Sequence, residues 1–117
     1  MTPAIAEPTT GETMGQSADK MAKINGITRE AQDALALASH LHAAAGVADG
    51  RIGAELVPVL PADGKGAPLT ADNGVRSDTT AAQLAKLKPV FDRRYGTVTA
   101  GNASPLTDGG AAVLLMR

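Results

Sequence analysis

Apolar residues recur at three-to-four spacing through the middle of the chain. Ala31, Ala34 with Leu35, Ala38, Leu41 with His42, and Ala45 fall on one face of a helix. The pattern predicts a long helix capped by Thr28, with Glu30 and Asp33 in a first turn where the helix dipole favours negative charge. Gly46 to Gly50 closes it, Asp49-Gly50 being a turn pair. A shorter helix precedes it, starting at Ser17 as N-cap with Asp19 in its first turn and ending near Ile24, where Asn25-Gly26 tolerates positive φ. A third runs from Thr80 to near Leu87, capped by Asp78 or Thr79. Ala81, Leu84, Ala85 and Leu87 lie on one side of it, and Pro89 ends it.

The remaining pattern is extended or irregular. Residues 1–16 carry Pro3, Pro8, Gly11 and Gly15 among Thr and Glu, which predicts an arm or loop. Glu55 to Leu60 mixes β-branched residues with Pro58, which cannot donate to a ladder, so it is an edge strand at best. Pro61 to Ser77, with Asp63-Gly64, Gly66, Pro68 and Asn73-Gly74, is expected to be a surface or ligand-facing loop. Gly96 to Gly101 is a short strand. Ala111 to Met116 is a continuous apolar run of the kind that forms a strand buried on both faces. The neighbours such a strand needs are not found in this sequence.

Composition sharpens the picture. Of 117 residues, 44% are hydrophobic but only 2% aromatic. Any core must therefore come from small-residue helices in close approach, and low stability in isolation is expected. The absence of Cys removes disulfides, thiolate metal sites and a cysteine nucleophile from this chain. A net charge of -1 carries no electrostatic footprint for nucleic acid or an anionic membrane. The N-terminus lacks the charged flank and apolar run of a signal peptide, and no stretch approaches the ~20 apolar residues of a membrane helix. A soluble, cytoplasmic protein is expected, with no nucleic-acid partner and no membrane insertion.

Candidate chemistry is sparse. His40 and His42 are two residues apart, which turns them roughly 200° from each other on a helix and unfits them for one metal site. Neither a Walker pattern nor G-x-G-x-x-G occurs, although Thr107-Asp108-Gly109-Gly110 suits a tight turn. Asn102-Ala103-Ser104 matches the glycosylation triplet but has no secretory context. The cations Lys86, Lys88, Arg93 and Arg94, with Arg76 upstream, surround Phe91 and Tyr95. Such a group can hold the phosphates of a nucleotide-like ligand while the aromatics cover its apolar part. It can equally be a solvated helix face, which composition alone favours.

Longer strings carry more. EPTTGETMGQSADKMA, ITREAQDALALASH, DNGVRSDTTAAQLAKLKPVFDRRYGTVTAGN and GTVTAGNASPLTDGGAAVLLM, in that order, resemble the thiolase superfamily across nearly the whole chain. The Glu7-Pro8-Thr9-Thr10-Gly11-Glu12-Thr13 opening and the Tyr95-Gly96 junction most resemble the fatty-acid-oxidation branch, the 3-ketoacyl-CoA thiolases related to the β subunit of the trifunctional complex. The resemblance implies an α/β, thiolase-like fold that is incomplete. Residues 1–108 would be part of the loop domain, a CoA-binding excursion, and residues 109–117 a strand returning to the N-terminal core domain.

The resemblance also implies an acyltransferase of lipid metabolism that cleaves 3-ketoacyl-CoA with free CoA, or condenses two acyl-CoA molecules. In that family one Cys takes the acyl group, a His activates it, and a second Cys shuttles a proton. None of these three falls within this chain, so no catalytic residue is assigned and the chain alone is expected to be inactive. CoA enters as substrate, with no metal. Carried over by motif, Met14 would line the acyl or pantetheine pocket and Arg76 would face the adenosine-phosphate end of CoA. Phe91 would cover the pantetheine arm, bordered by Ala100, Ser104 and Leu106, with Ser104 contacting its amide. Thr13 stands where some members carry His, and Gln83 where others carry a small hydroxyl residue. The parent would be a homodimer or homotetramer, with room in the resemblance for a β-oxidation partner subunit. The competing expectation is a stand-alone, non-catalytic CoA-binding or interaction module.

Overall fold

Three helices and a single 3-10 turn carry the regular structure of the computed structural model, which describes residues 5–116. Pro3 of the expected arm and Arg117 lie outside the described residues. The first helix, α1, spans Met14–Ile24 and is capped by Thr13, not Ser17. The reason is a reciprocal capping box: Gln16 N–H donates to Thr13 Oγ1 at 3.4 Å, and Thr13 N–H donates to Gln16 Oε1 at 2.9 Å. Ser17 Oγ instead donates to Glu12 Oε2 at 3.3 Å. The earlier start moves Asp19 out of the first turn, where it was expected to face the helix dipole, and into the interior. Asn25 caps the C-terminus, and Gly26, at φ +64, takes the left-handed conformation that ends the helix as expected.

Helix α2 spans Arg29–Ala48 and is capped by Thr28, whose Oγ1 accepts from Ala31 N–H at 3.2 Å. It runs through Gly46, which is buried under the Ile52 side chain, and ends at Asp49. The face expected to pack is turned outward: Leu35 is 75% exposed and Leu41 48%. The inward face carries buried Asp33 and half-buried Arg29, Gln32 and His40. These polar side chains answer hydrogen-bonding groups of the segments beside α2: the Leu84 and Leu87 carbonyls, the Thr97 hydroxyl, the Asn102 amide and the Arg76 N–H.

After a 3-10 turn at Gly53–Glu55, the expected edge strand reduces to one antiparallel bridge between Val59 and Leu69, its two hydrogen bonds each 2.9 Å. A second isolated bridge joins Ala6 and Thr13. Helix α3 is only Ala81–Ala85, with Thr80 as its cap and Gln83 closing a capping box. It stops before Leu87 because Arg29 Nη2 donates to the carbonyls of Leu84 at 2.7 Å and Leu87 at 3.2 Å, which satisfies groups left free at a helix end. This contact joins α3 to α2.

No strand forms at Gly96–Gly101. The backbone groups a ladder would have used are taken by side chains. Asp19 Oδ1 accepts from Thr97 N–H and Val98 N–H, both at 2.8 Å, and its Oδ2 accepts from Asp92 N–H at 3.2 Å. Asn102 accepts from Thr99 N–H at 2.7 Å through Oδ1. Its Nδ2 donates to Asp33 Oδ1 at 2.9 Å and to the Thr97 carbonyl at 3.0 Å. Gln32 Nε2 donates to Thr97 Oγ1 at 2.9 Å, and Val90 N–H donates to the Val98 carbonyl at 3.0 Å.

The apolar run Ala111–Met116 is likewise not a strand. It has no backbone partner among the described residues, and Leu115 is 89% exposed. Among the described residues the buried apolar side chains are Ala22, Leu84 and Val98. With so little apolar burial the chain is expanded: its radius of gyration is 17.5 Å, against about 13 Å for a compact domain of this length.

Asp19 is therefore the residue most costly to remove. Asp19→Ala leaves three amide donors without an acceptor and is expected to lower the unfolding free energy by about 3 kcal/mol. Asp19→Asn, which can keep the two bonds at Oδ1, should cost about half as much. Urea denaturation of the two variants checks this, and equal losses would contradict it.

Candidate functional site

Met14 opens α1 and is 85% exposed. Beside it, Gly15 has no side chain, and a Cβ there would overlap the Phe91 ring. Phe91 thus lies directly on the α1 backbone next to Met14. Two side chains far apart in sequence are brought to one end of a helix by a glycine contact.

The turn from Asp92 to Gly96 holds Phe91 in place. Asp92 Oδ1 accepts from Arg94 N–H and Tyr95 N–H, both at 3.0 Å, which shapes the turn; the Tyr95 amide, then that of Arg94, hold its carboxyl below the usual carboxylate range. Gly96 N–H closes back on the Asp92 carbonyl at 2.8 Å, and Asp19 fixes the next residues. A Cβ at Gly96 would collide with the Asp92 carbonyl and the Asp19 carboxylate, so only glycine fits the junction. The Val90 to Val98 hydrogen bond lays the Phe91 segment alongside the one ending in Ala100.

Ala100 is exposed at the turn, and the adjoining Gly101 packs against Leu84 and Leu87 of the α3 region. Ser104 and Leu106 lie beyond it on exposed backbone, Leu106 being 74% exposed. Met14, Phe91 and Ala100 therefore belong to one assembly, organised by Asp19. Arg76 does not join it directly. Its backbone N–H donates to His40 Nδ1 at 3.2 Å, in the middle of α2, and its side chain makes no ion pair among the described residues. Gln32 holds the Thr97 segment and His40 holds Arg76, eight positions apart on the same helix, which sets the two anchors about 12 Å apart along α2.

The expected aromatic and basic cluster divides. Arg94 lies over the Tyr95 ring at 5.1 Å and Lys23 at 6.0 Å, so Tyr95 pairs with cations while Phe91 packs on α1. Of the two histidines, His40 is half-buried and hydrogen-bonded, and His42 is exposed. Thr13 and Gln83, the two departures from the thiolase pattern, both serve as partners in capping boxes.

Sequence reasoning does not single out Asp19, Gln32, Asn102 or His40 as site-shaping residues. For Asp19 and Asn102 the signal that could find them is Gly96–Gly101 itself; Gln32 and His40 leave none. A short strand without a mate must find its hydrogen-bond partners among side chains.

A hollow of about 310 Å³ beside Met14 is lined by Glu7, Glu12, Ser17, Ala18 and Met21 as well. Lys20 Nζ reaches Glu12 Oε1 at 3.1 Å across its edge. Glu7 lies in a tight acceptor turn. Its Oε2 takes the Thr9 hydroxyl at 2.5 Å and the amides of Thr9 and Thr10 at 3.0 and 2.7 Å. The Thr9 hydroxyl first, then these amides, lower its pKa from 4.5 to about 2. A larger cavity, about 460 Å³, lies at the other end of α2 between Val47, Ile52, Leu56 and Val75 and contains none of the motif-derived residues.

Helices packed against irregular segments, with the apolar run Ala111–Met116 left without a backbone partner among the described residues, define the class of arrangement to which this chain belongs. Solved thiolases share the arrangement. The Bacillus anthracis acetyl-CoA acetyltransferase superimposes with a TM-score of 0.79 at 39% identity, covering 86% of this chain and 26% of that one. The human mitochondrial 3-ketoacyl-CoA thiolase in complex with CoA gives 0.75 at 34% identity, covering 85% and 24%. The chain belongs to the thiolase family, whose sequence model described as "Thiolase, N-terminal domain" matches residues 1–117. Among curated relatives, the 3-ketoacyl-CoA thiolase of Aeromonas salmonicida is 56% identical over 115 residues and that of Escherichia coli 53% over 114. These alignments cover 98% and 97% of this chain, which spans about a quarter of the relatives' length, 26% in each case. The fold is thus thiolase-like and incomplete.

The Glu7 turn gives a pH test with a definite sign. Its folded pKa is depressed, so its contribution to stability is present above about 4.5 and is lost as pH falls from there through about 2. In a carboxyl-carbon NMR titration Glu7 should stay ionised below pH 4. Thr9→Val, which removes the hydroxyl, should return it toward the ordinary range; no movement would contradict the assigned cause.

Proposed function

We propose that this chain is the CoA-holding part of a 3-ketoacyl-CoA thiolase, an enzyme that uses free CoA to cleave 3-ketoacyl-CoA into acetyl-CoA and a shortened acyl-CoA, or runs the reverse condensation. The observation that carries it is whole-chain identity of 53 to 56% to 3-ketoacyl-CoA thiolases. The geometry supports the reading. Met14 and Phe91 give exposed apolar surface at one end, and Arg76 stands at the other end of the interval fixed by α2, with a guanidinium free of ion pairs among the described residues. A ligand with an apolar arm ending in phosphates suits that spacing, and Ser104, which makes no hydrogen bond among the described residues, is available to an amide on the arm. Ala100 and Leu106 border the same path.

Residues 1–108 then act as part of the loop domain, and residues 109–117 as a strand returning to the core, where Val113 to Met116 would find the neighbours they lack. The chain contains no cysteine, so the acyl-accepting thiol and its proton shuttle come from elsewhere in the enzyme. The parent is read as a cytoplasmic homo-oligomer of fatty-acid β-oxidation, with acyl-CoA as its partner molecule. No helix among the described residues is long and apolar enough to cross a membrane.

Calorimetric titration of the chain with CoA and with pantetheine tests the reading. CoA should bind more tightly than pantetheine, and Arg76→Ala should weaken CoA about tenfold, or about 1.4 kcal/mol, while leaving pantetheine unchanged. Acetoacetyl-CoA should not be turned over by the chain alone. Equal effects on CoA and pantetheine would remove Arg76 from the phosphate end.

A further inference from the structure

We propose that His40 is a positioning residue for Arg76, fixing the turn from which that guanidinium reaches the phosphates of CoA; this deepens the proposed function and rests on it. Arg76 lies in a stretch, Thr70–Thr79, with no helix or strand of its own. Its backbone is pinned at both polar groups. The N–H donates to His40 Nδ1 at 3.2 Å, and the carbonyl accepts from Thr79 N–H at 3.3 Å. The His40 contact is the single hydrogen bond between this stretch and α2 among the described residues. It joins positions 36 apart in sequence.

The chemistry of the anchor is specific. An imidazole nitrogen accepts only through its lone pair, and in this contact Nδ1 is the acceptor for the Arg76 N–H. The ring projects from the interior of a 20-residue helix, a rigid base, and is half-buried. The same helix carries Gln32, which holds the Thr97 segment. Removing the His40 acceptor frees the Arg76 backbone from α2 while leaving the Phe91 and Ala100 assembly on its own anchors. The side chain of Arg76 keeps its charge but loses its fixed origin, and a cation that must be ordered on binding binds more weakly.

His40→Ala and His40→Asn separate positioning from bulk. The Asn side chain carries an acceptor oxygen at the same branch point as Nδ1; Ala carries none. Hydrogen exchange of the chain should show the Arg76 amide losing its protection in His40→Ala, by about tenfold, and keeping it in His40→Asn. In CoA titrations, His40→Ala should weaken binding about fivefold and His40→Asn should restore it. In an Arg76→Ala background, His40→Ala should have no further effect, because a residue that acts through Arg76 has nothing left to act on.

Protection of the Arg76 amide that survives in His40→Ala overturns the proposal. So does a loss of CoA affinity of equal size with and without Arg76, the signature of a general structural role. If Arg76→Ala weakens CoA and His40→Ala does not, His40 alone is excluded. If Arg76→Ala has no effect on CoA, the phosphate reading of Arg76 falls and this inference falls with it.

Discussion

Asp19, buried on α1, accepts three backbone amides from a segment more than 70 residues later, and the rest of the molecule is arranged around that carboxylate. An ionised carboxylate answers clustered N–H donors more strongly than a neutral acceptor does, and in an interior with little apolar burial that difference is a large share of what holds the fold. Through Asp19 the turn after Phe91 is fixed, Phe91 comes down on Gly15, and Met14 acquires an aromatic neighbour. The apolar end of the proposed ligand path depends on that single polar interaction.

Helix α2 supplies the second constraint. Its inward face mixes half-buried Ala36, Leu37, Ala43 and Ala44 with polar side chains where other segments present hydrogen-bonding groups to it. Arg29 and Asp33 form an ion pair at 2.8 Å, Arg29 closes the end of α3, and Asp33 holds Asn102. Replacing Arg29 and Asp33 with apolar side chains would leave the carbonyls of Leu84 and Leu87 and the Asn102 amide group without these partners, which is why this part of the face is polar. Gln32 and His40 extend the same logic along the helix. They convert its fixed rise per residue into a fixed separation between the Phe91 assembly and Arg76.

The outward surfaces say the opposite. Leu35, Leu41 and the run from Val113 to Met116 are exposed, and apolar residues without partners give up the burial that would stabilise them. With so few buried apolar side chains among its described residues and so expanded a radius, the chain makes few hydrophobic contacts of its own. Its match to about a quarter of the length of its thiolase relatives fits that account. The polar network shapes the described residues, and their apolar faces stay open.

The sequence by itself determined the helices and much of their punctuation. Thr28, Asn25-Gly26 and Asp49-Gly50 act locally, through caps and turns whose geometry depends on a few adjacent residues, so their spacing sufficed. The motif strings likewise carried the thiolase relationship and the candidate residues Met14, Arg76, Phe91, Ala100, Ser104 and Leu106. Tertiary structure alone decided which face of α2 turns inward, why Gly96–Gly101 is not a strand, and which side chains hold Phe91 and Arg76. Periodicity records where apolar residues fall but not what will lie against them. Here the neighbours present backbone and side-chain hydrogen-bonding groups from distant segments, so Asp19, Gln32, Asp33, His40 and Asn102 are drawn inward by hydrogen bonds that no local pattern encodes.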